Sequence, residues 1–150
     1  MDRMDRAVAL FKEGYSCSQA VAMAFCDMTG LDEKLTARMA SSFGGGMGRM
    51  REVCGAVSGM LMVAGLLYGY DDAADTAGKR ELYAQVQAMA GQFRAEMGSI
   101  ICRDLLNNPP ADPNPTPRTA KFYQERPCAR MVAAAAGIME EFIREHPVEE

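Results

Sequence analysis

Four of the five cysteines in this chain fall where a helix is predicted to begin. Cys17 follows Ser16 in a Ser-x-x-Gln capping box. Cys128 follows Pro127, and proline is favoured at the first helical position. A helix N-terminus presents free N–H groups and a partial positive charge, and both stabilise a thiolate. These cysteines are therefore predicted to have lowered pKa values and to serve as redox thiols or metal ligands.

The other cysteines have different settings. Cys102 lies three residues after Ser99, a predicted N-cap, and Cys54 opens an apolar run after a glycine-rich stretch at 43–48. The fifth, Cys26, falls inside the predicted second helix, about half a turn out of phase with the cysteine that begins it. We interpret Cys26 as a small apolar side chain and exclude it from the candidate site.

An all-cysteine site supports three chemistries. Four thiolates can bind an iron–sulfur cluster, such as a [2Fe–2S] cluster, or a zinc ion. Pairs of thiols can instead pass electrons as a metal-free dithiol/disulfide couple. The common structural zinc modules use close Cys-x₂-Cys pairs, which this chain lacks, and its only histidine, His146, lies near the C-terminus. Any metal site must therefore be all-cysteine and assembled by the tertiary fold.

Few other motifs suggest chemistry. Arg49 and Arg51 flank Cys54 and are candidate charges beside the sulfur site, although they could equally be solvated. The glycine-rich stretch lacks the Gly-Lys-Ser/Thr ending of a phosphate-binding loop. Its glycines are instead expected to allow a tight turn that brings Cys54 close to the other sulfurs. No Ser/His/Asp set supports hydrolysis, and whether the protein is an enzyme stays open.

Composition narrows the class of protein. The chain has 150 residues, 49% hydrophobic and 24% charged, which is typical of a globular domain. A net charge of −4 without a basic stripe argues against a nucleic-acid partner. The charged N-terminus lacks the apolar region of a secretory signal, so we expect a cytoplasmic protein, where structural disulfides are rare.

Nearly every segment has helical periodicity, which predicts a single all-α domain over 1–150 with six or seven helices. The run 53–70 has no charge but is rich in glycine, so we expect a buried central helix and no membrane span. Its glycine-rich face could also support a homodimer. A proline-rich loop is predicted at about 107–118. The predicted helices lie at 2–14, 16–29, 32–43, 53–70, about 75–97, 99–106 and 127–145.

Three of the predicted helices have apolar stripes that are expected to face the core. The second helix is expected to turn Cys17, Val21 and Met28 inward, and the third helix Leu35, Met39 and Phe43. The fifth helix is expected to bury one long stripe along its length, composed of Leu82, Val86, Met89, Phe93 and Met97.

Several motifs together resemble the family called C-GCAxxG-C-C. They are YSCSQAV at 15–21, FGGGMG at 43–48, CGAVSG at 54–59 and GSIICRDLL at 98–106, followed by Cys128. These motifs occur in the family's order and cover nearly the whole chain.

The resemblance implies a redox-active protein whose four signature cysteines correspond to Cys17, Cys54, Cys102 and Cys128, with Cys26 outside the pattern. Similar domains also occur joined to cytochromes of the split-Soret kind, where an iron–sulfur site is associated with the cysteines. The resemblance therefore favours a [2Fe–2S]-type centre that exchanges electrons with a redox partner protein or senses redox state. A metal-free dithiol couple, a structural zinc site and a non-catalytic interaction protein remain the alternatives.

Overall fold

A computed structural model of the chain describes residues 2–148 and shows an all-α fold, as predicted. Within those residues there is no β-strand, only an isolated antiparallel bridge between Val53 and Ile101. The described part of the chain contains nine helices, so the prediction of six or seven was wrong. They are α1 (Arg3–Lys12), α2 (Cys17–Met23), α3 (Cys26–Thr29), α4 (Glu33–Ser41), α5 (Gly55–Tyr68), α6 (Thr76–Met97), α7 (Cys102–Leu105), α8 (Ala120–Glu125) and α9 (Cys128–Glu145).

The helix count differs because the predicted second helix is interrupted. Helix α2 ends at Met23, and Phe25 leaves the helical conformation with φ −113° before α3 begins at Cys26. The helical-phase argument that set Cys26 apart assumed one continuous helix, and that assumption was wrong. Helix α8, after the proline-rich segment, was not predicted at all.

The seventh helix is also shorter than the predicted 99–106. It begins at Cys102, and its N-cap is Ile101 rather than Ser99. The Ser99 hydroxyl accepts a hydrogen bond from the Ile101 N–H at 3.0 Å and donates one to Asp104 at 3.0 Å. Ser99 therefore organises the turn before the helix.

Helix α5 carries much of the packing that supports the site, because it lies against α2, α6 and α9. A Cβ on Gly59 would lie 2.6 Å from the Ser18 carbonyl oxygen, so the close approach of α2 and α5 requires glycine there. Helix α5 has 14 residues, fewer than the roughly 20 that a membrane-spanning helix needs. Among the described residues, no helix has both the length and the apolarity to cross a bilayer.

Two predicted apolar faces were wrong. On α4, Leu35 is 54% exposed and Met39 is 41% exposed, whereas Thr36 and Ala40 are buried. Small residues face α2 here because Ser18 donates a 2.8 Å hydrogen bond to the Ala40 carbonyl, which holds the two helices close. Phe43 is half-buried, and Met28 of α3 is exposed. Of the stripe predicted on α6, only Met89 and Phe93 are buried.

Candidate functional site: a cavity lined by four cysteines

All four predicted site cysteines lie at helix N-termini. Cys17 is the first residue of α2, and the predicted capping box is present: Gln19 N–H donates to Ser16 Oγ at 3.3 Å, and Ser16 N–H donates to Gln19 Oε1 at 3.0 Å. Cys102 and Cys128 are the first residues of α7 and α9. Pro127 is the N-cap of α9 rather than its first helical residue.

Cys54 is itself the N-cap of α5, and the backbone around it aligns it with the segment that carries Cys102. The Cys54 N–H donates to the Ile100 carbonyl at 2.8 Å, and the Cys102 N–H donates to the Glu52 carbonyl at 2.6 Å. This short ladder joins two segments that are distant in sequence. It therefore places Cys54 and Cys102 on adjacent, paired segments.

The four cysteines line one cavity of about 450 Å³. Its charged lining consists of Arg49, Arg51, Arg118 and Arg126, and no carboxylate is among the lining residues that the structure describes. Cys26 is not part of the lining: it is buried elsewhere, with its thiol donating to Thr36 Oγ1 at 3.4 Å. Although the net charge of the chain is −4, this cavity is therefore strongly cationic.

The glycine-rich loop before Cys54 adopts an unusual backbone. Three residues with side chains have left-handed φ values: Met47 at 68°, Arg49 at 64° and Arg51 at 63°. The left-handed conformation costs about 1–2 kcal/mol for a residue with a Cβ, so the surrounding structure must hold this loop in place. The result is a tight turn, as the glycine content suggested, and it also directs Arg49 and Arg51 to the cavity lining.

Arg51 is the most buried of the four arginines, with only 4% exposed. Its Nη1 lies 3.7 Å from the Cys102 sulfur, and its Nε donates to the Pro110 carbonyl at 2.9 Å. Its Nη2 is buried and has no hydrogen-bond partner among the described residues. The Arg51 guanidinium therefore links a cysteine to the proline-rich segment and keeps one donor free.

Arg49 fixes the same proline-rich segment. Its Nε donates to the Asp112 carbonyl at 2.8 Å, and its Nη1 donates to Thr116 Oγ1 at 2.7 Å. Burial and, after it, repulsion from Arg51 lower the pKa of Arg49. The segment that these arginines hold contributes Pro113, with Pro115 and Thr116, to the cavity wall.

Two further arginines of the lining were not predicted. Arg118 donates to the carbonyls of Phe11 and Tyr15, both at 3.0 Å, and its guanidinium lies 4.3 Å from the centre of the Phe11 ring. Arg126 lies over the ring of Phe122 at 5.6 Å. Arg126 precedes a site cysteine by two positions, a signal that could have found it. Nothing in the local sequence singles out Arg118.

Cys17 and Cys128 form a coupled pair. The pKa of Cys128 is lowered to about 7, first because the Cys17 thiol donates toward its sulfur, and further because Arg126, Arg118 and Arg51 are near, although burial opposes the shift. The same interaction, together with burial, raises the pKa of Cys17 well above its ordinary value. Cys17 is also the one site cysteine that is not fully buried. This pair therefore resembles a thiol donating to a thiolate.

The other two sulfurs behave differently. Burial raises the pKa of Cys54 to about 12. Burial also raises the pKa of Cys102, against the opposing effect of Arg51. In the metal-free protein these two cysteines are therefore neutral thiols at pH 7, and the prediction that every helix-start cysteine has a lowered pKa was wrong for three of the four. At Cys54 and Cys102 desolvation outweighs the effect of the helix N-terminus, whereas at Cys17 the hydrogen bond to Cys128 is the largest cause.

The arrangement of the four sulfurs can be compared with what a zinc ion and a [2Fe–2S] cluster each require. Within residues 2–148, no set of three or more His, Cys, Asp or Glu side chains is grouped to hold one metal ion. A zinc tetrathiolate needs four sulfurs about 2.3 Å from a single ion. A [2Fe–2S] cluster needs four cysteines shared between two irons. Four thiols line the cationic cavity, with Cys17 beside Cys128 and with Cys54 and Cys102 on paired segments, and they match the number and type of donors that such a cluster would need.

Comparison with known proteins identifies the family. The family described as "Putative redox-active protein (C_GCAxxG_C_C)" matches residues 15–142, which is most of the chain. The chain belongs to this family. The resemblance found in the sequence motifs is thus confirmed, and the matched region contains all four cysteines of the cavity. No curated protein and no solved structure gave a significant match.

Proposed function

We propose that the four-cysteine cavity is a redox centre in which Cys17, Cys54, Cys102 and Cys128 hold a [2Fe–2S]-type cluster for electron transfer or redox sensing. The observation that carries the proposal is that cysteines from four separate segments line one cavity whose charged side chains are all arginines. A dithiol couple would need only two of these sulfurs. The family's redox character is consistent with the same role.

Electrostatics support the proposal. A [2Fe–2S] group held by four thiolates is dianionic when oxidised and gains a further negative charge on reduction, so its site must supply positive charge. Arg51, Arg118 and Arg126 supply that charge. Arg51 is buried and lies 3.7 Å from the Cys102 sulfur, where a donor to a ligand sulfur raises the reduction potential.

The chain's own residues would also shield the centre. Cys54, Cys102 and Cys128 are all buried, and the proline-rich segment held by Arg49 and Arg51 closes one wall of the cavity. Cys17 is the one proposed ligand that is only partly buried, so it marks the side from which a partner protein would exchange electrons. The cluster, when bound, would supply one-electron chemistry.

One observation favours a second candidate, a metal-free dithiol/disulfide couple at Cys17 and Cys128. The Cys128 thiolate, with its pKa of about 7, would attack a disulfide of an oxidised partner and release one partner thiolate. Cys17 would then lose its proton and attack Cys128 in the mixed disulfide, releasing the second partner thiolate. The pair ends as a disulfide, having given two electrons to the partner and released the one proton of Cys17, which a partner thiolate can accept.

Anaerobic purification followed by a visible spectrum and by assays of iron, acid-labile sulfide, zinc and free thiols tests both candidates. A coloured protein with iron and sulfide in equal amounts supports the cluster. A colourless, metal-free protein that loses thiols in pairs on oxidation contradicts the cluster and supports the dithiol couple. Zinc alone would contradict both and would recast the site as structural.

A further inference from the structure

The cavity offers more space and more hydrogen-bond donors than four sulfurs use. A cluster core of two irons and two sulfides fills only part of a volume of about 450 Å³. The remaining lining includes polar groups that approach from several elements, among them Ser16, Gln19 and Thr116 beside the arginines. A cavity of this size with a few convergent polar groups is typical of a small-molecule site.

The unpartnered nitrogen of Arg51 indicates the charge of a ligand that this cavity would bind. Its Nε and Nη1 have partners, but Nη2 is buried without one among the described residues. A buried charged donor without a partner is costly, and native structures rarely retain one unless a water, ion or ligand satisfies it. Because Arg51 lines the cavity, that ligand would be an anion lying within it.

Arg126 supplies a second cation with free donors. In the described part of the chain its guanidinium makes no hydrogen bond, and it lies over the Phe122 ring at 5.6 Å. Arg118 is different, because its two terminal nitrogens are occupied by the Phe11 and Tyr15 carbonyls. Arg49 also has an Nη2 without a hydrogen bond among the described residues, but its other two nitrogens bind the proline-rich segment. Arg51, whose free donor is buried, and Arg126, whose guanidinium makes no hydrogen bond, are therefore the strongest candidates to bind a ligand.

We propose that the cavity contains a binding site for a small inorganic oxyanion, of the phosphate or sulfate kind, held by Arg51 and Arg126. A guanidinium presents paired N–H groups that match the oxygens of such an anion, and no carboxylate in the described lining competes for them. The inference rests on the proposed function in placing the anion beside a redox centre, where it would be a substrate or an effector. Binding itself requires only the two arginines.

Isothermal titration of sodium sulfate into the purified full chain tests the site, with sodium chloride at matched ionic strength as the reference. We expect saturable binding of one sulfate per chain. Arg126→Gln should weaken binding at least tenfold, and Arg51→Gln should do the same where the variant folds. Arg130→Gln is the matched control, because Arg130 lies only four residues after Arg126, in the first turn of α9, is exposed and is not among the lining residues.

Heat no larger than that of chloride would overturn the inference, as would an equal loss of binding in Arg126→Gln and Arg130→Gln. Iron and sulfide assays on the same sample separate this result from the fate of the proposed function. Sulfate binding by a colourless, metal-free protein would support the oxyanion site and contradict the cluster. An iron-containing protein that does not bind sulfate would support the cluster and contradict the oxyanion site.

Discussion

Gly46 packs directly against Cys102. A Cβ at Gly46 would lie 2.7 Å from the Cys102 Cβ and 2.7 Å from the Glu52 nitrogen, and the residue has a left-handed φ of 75°. The Glu52 N–H in turn donates to the Gly46 carbonyl at 2.9 Å. The glycine-rich loop can therefore lie directly against Cys102 only because position 46 has no side chain. A larger residue there would push Cys102 or the loop out of place.

Gly46→Ala is therefore expected to destabilise both the fold and the site. Gly48→Ala is the control, because Gly48 also has a positive φ, 59°, but a Cβ there would meet nothing closer than the Ser42 carbonyl at 3.8 Å. Both variants should lose about 1–2 kcal/mol to the left-handed conformation, and Gly46→Ala about 1–3 kcal/mol more to overpacking. Urea unfolding measures the difference. Equal losses would show that the contact with Cys102 contributes nothing.

Two glycines of α5 allow a second prediction, which concerns the contact between α2 and α5. Gly59→Ala should destabilise the fold by about 1–3 kcal/mol, because its Cβ would meet the Ser18 carbonyl at 2.6 Å. Gly65→Ala should instead stabilise it by about 0.5–1 kcal/mol, because nothing lies within 4 Å of that Cβ and alanine favours a helix. Thermal unfolding would reveal the opposite signs. A loss in both variants would contradict the packing described for α5.

The reactivity of Cys128 should depend on its neighbour. In the metal-free protein, alkylation of Cys128 by iodoacetamide, followed by peptide mass spectrometry, should rise with pH with a midpoint near 7, because its pKa is about 7. Cys17→Ala removes the largest cause of this shift, while burial remains and opposes the three arginines. The midpoint should therefore rise toward the ordinary thiol value of about 8.5, and the rate at pH 7 should fall about tenfold.

Cys17→Ser is the matched variant, because its hydroxyl can still donate toward the Cys128 sulfur. Its midpoint should lie closer to that of the unmodified protein. If alanine and serine at position 17 gave the same pH profile, the donated proton would not be what lowers the pKa of Cys128.

The four cavity cysteines should be equivalent for cluster binding. Serine at position 17, 54, 102 or 128 should each abolish most of the visible absorption of the anaerobically purified protein, because all four are proposed ligands. Cys26→Ser should leave the spectrum unchanged, because its thiol donates to Thr36 Oγ1 away from the cavity and a hydroxyl can do the same. Bleaching by Cys26→Ser, or full colour in two of the other four variants, would contradict the assignment.

Predictions made from the sequence succeeded where local interactions decide the structure. The capping box at Ser16 and Gln19 needs only residues close in sequence, and it formed as predicted. Helix α9 likewise begins at Cys128, directly after Pro127, and ends at Glu145. The faces of short helices were predicted less well. Leu35 and Met39 have helical spacing but are exposed, because the neighbouring α2 packs against the smaller Thr36 and Ala40 instead.

The sequence by itself determined the helical class and the family and singled out four candidate cysteines, because periodicity, caps and motif order are local properties of the chain. Only the tertiary structure decided that Cys17, Cys54, Cys102 and Cys128 line one cavity, that Arg118 and Arg126 join Arg51 there, and that Cys128 alone of the four has a lowered pKa. Those features depend on desolvation and on contacts between segments far apart in sequence. No local pattern encodes them.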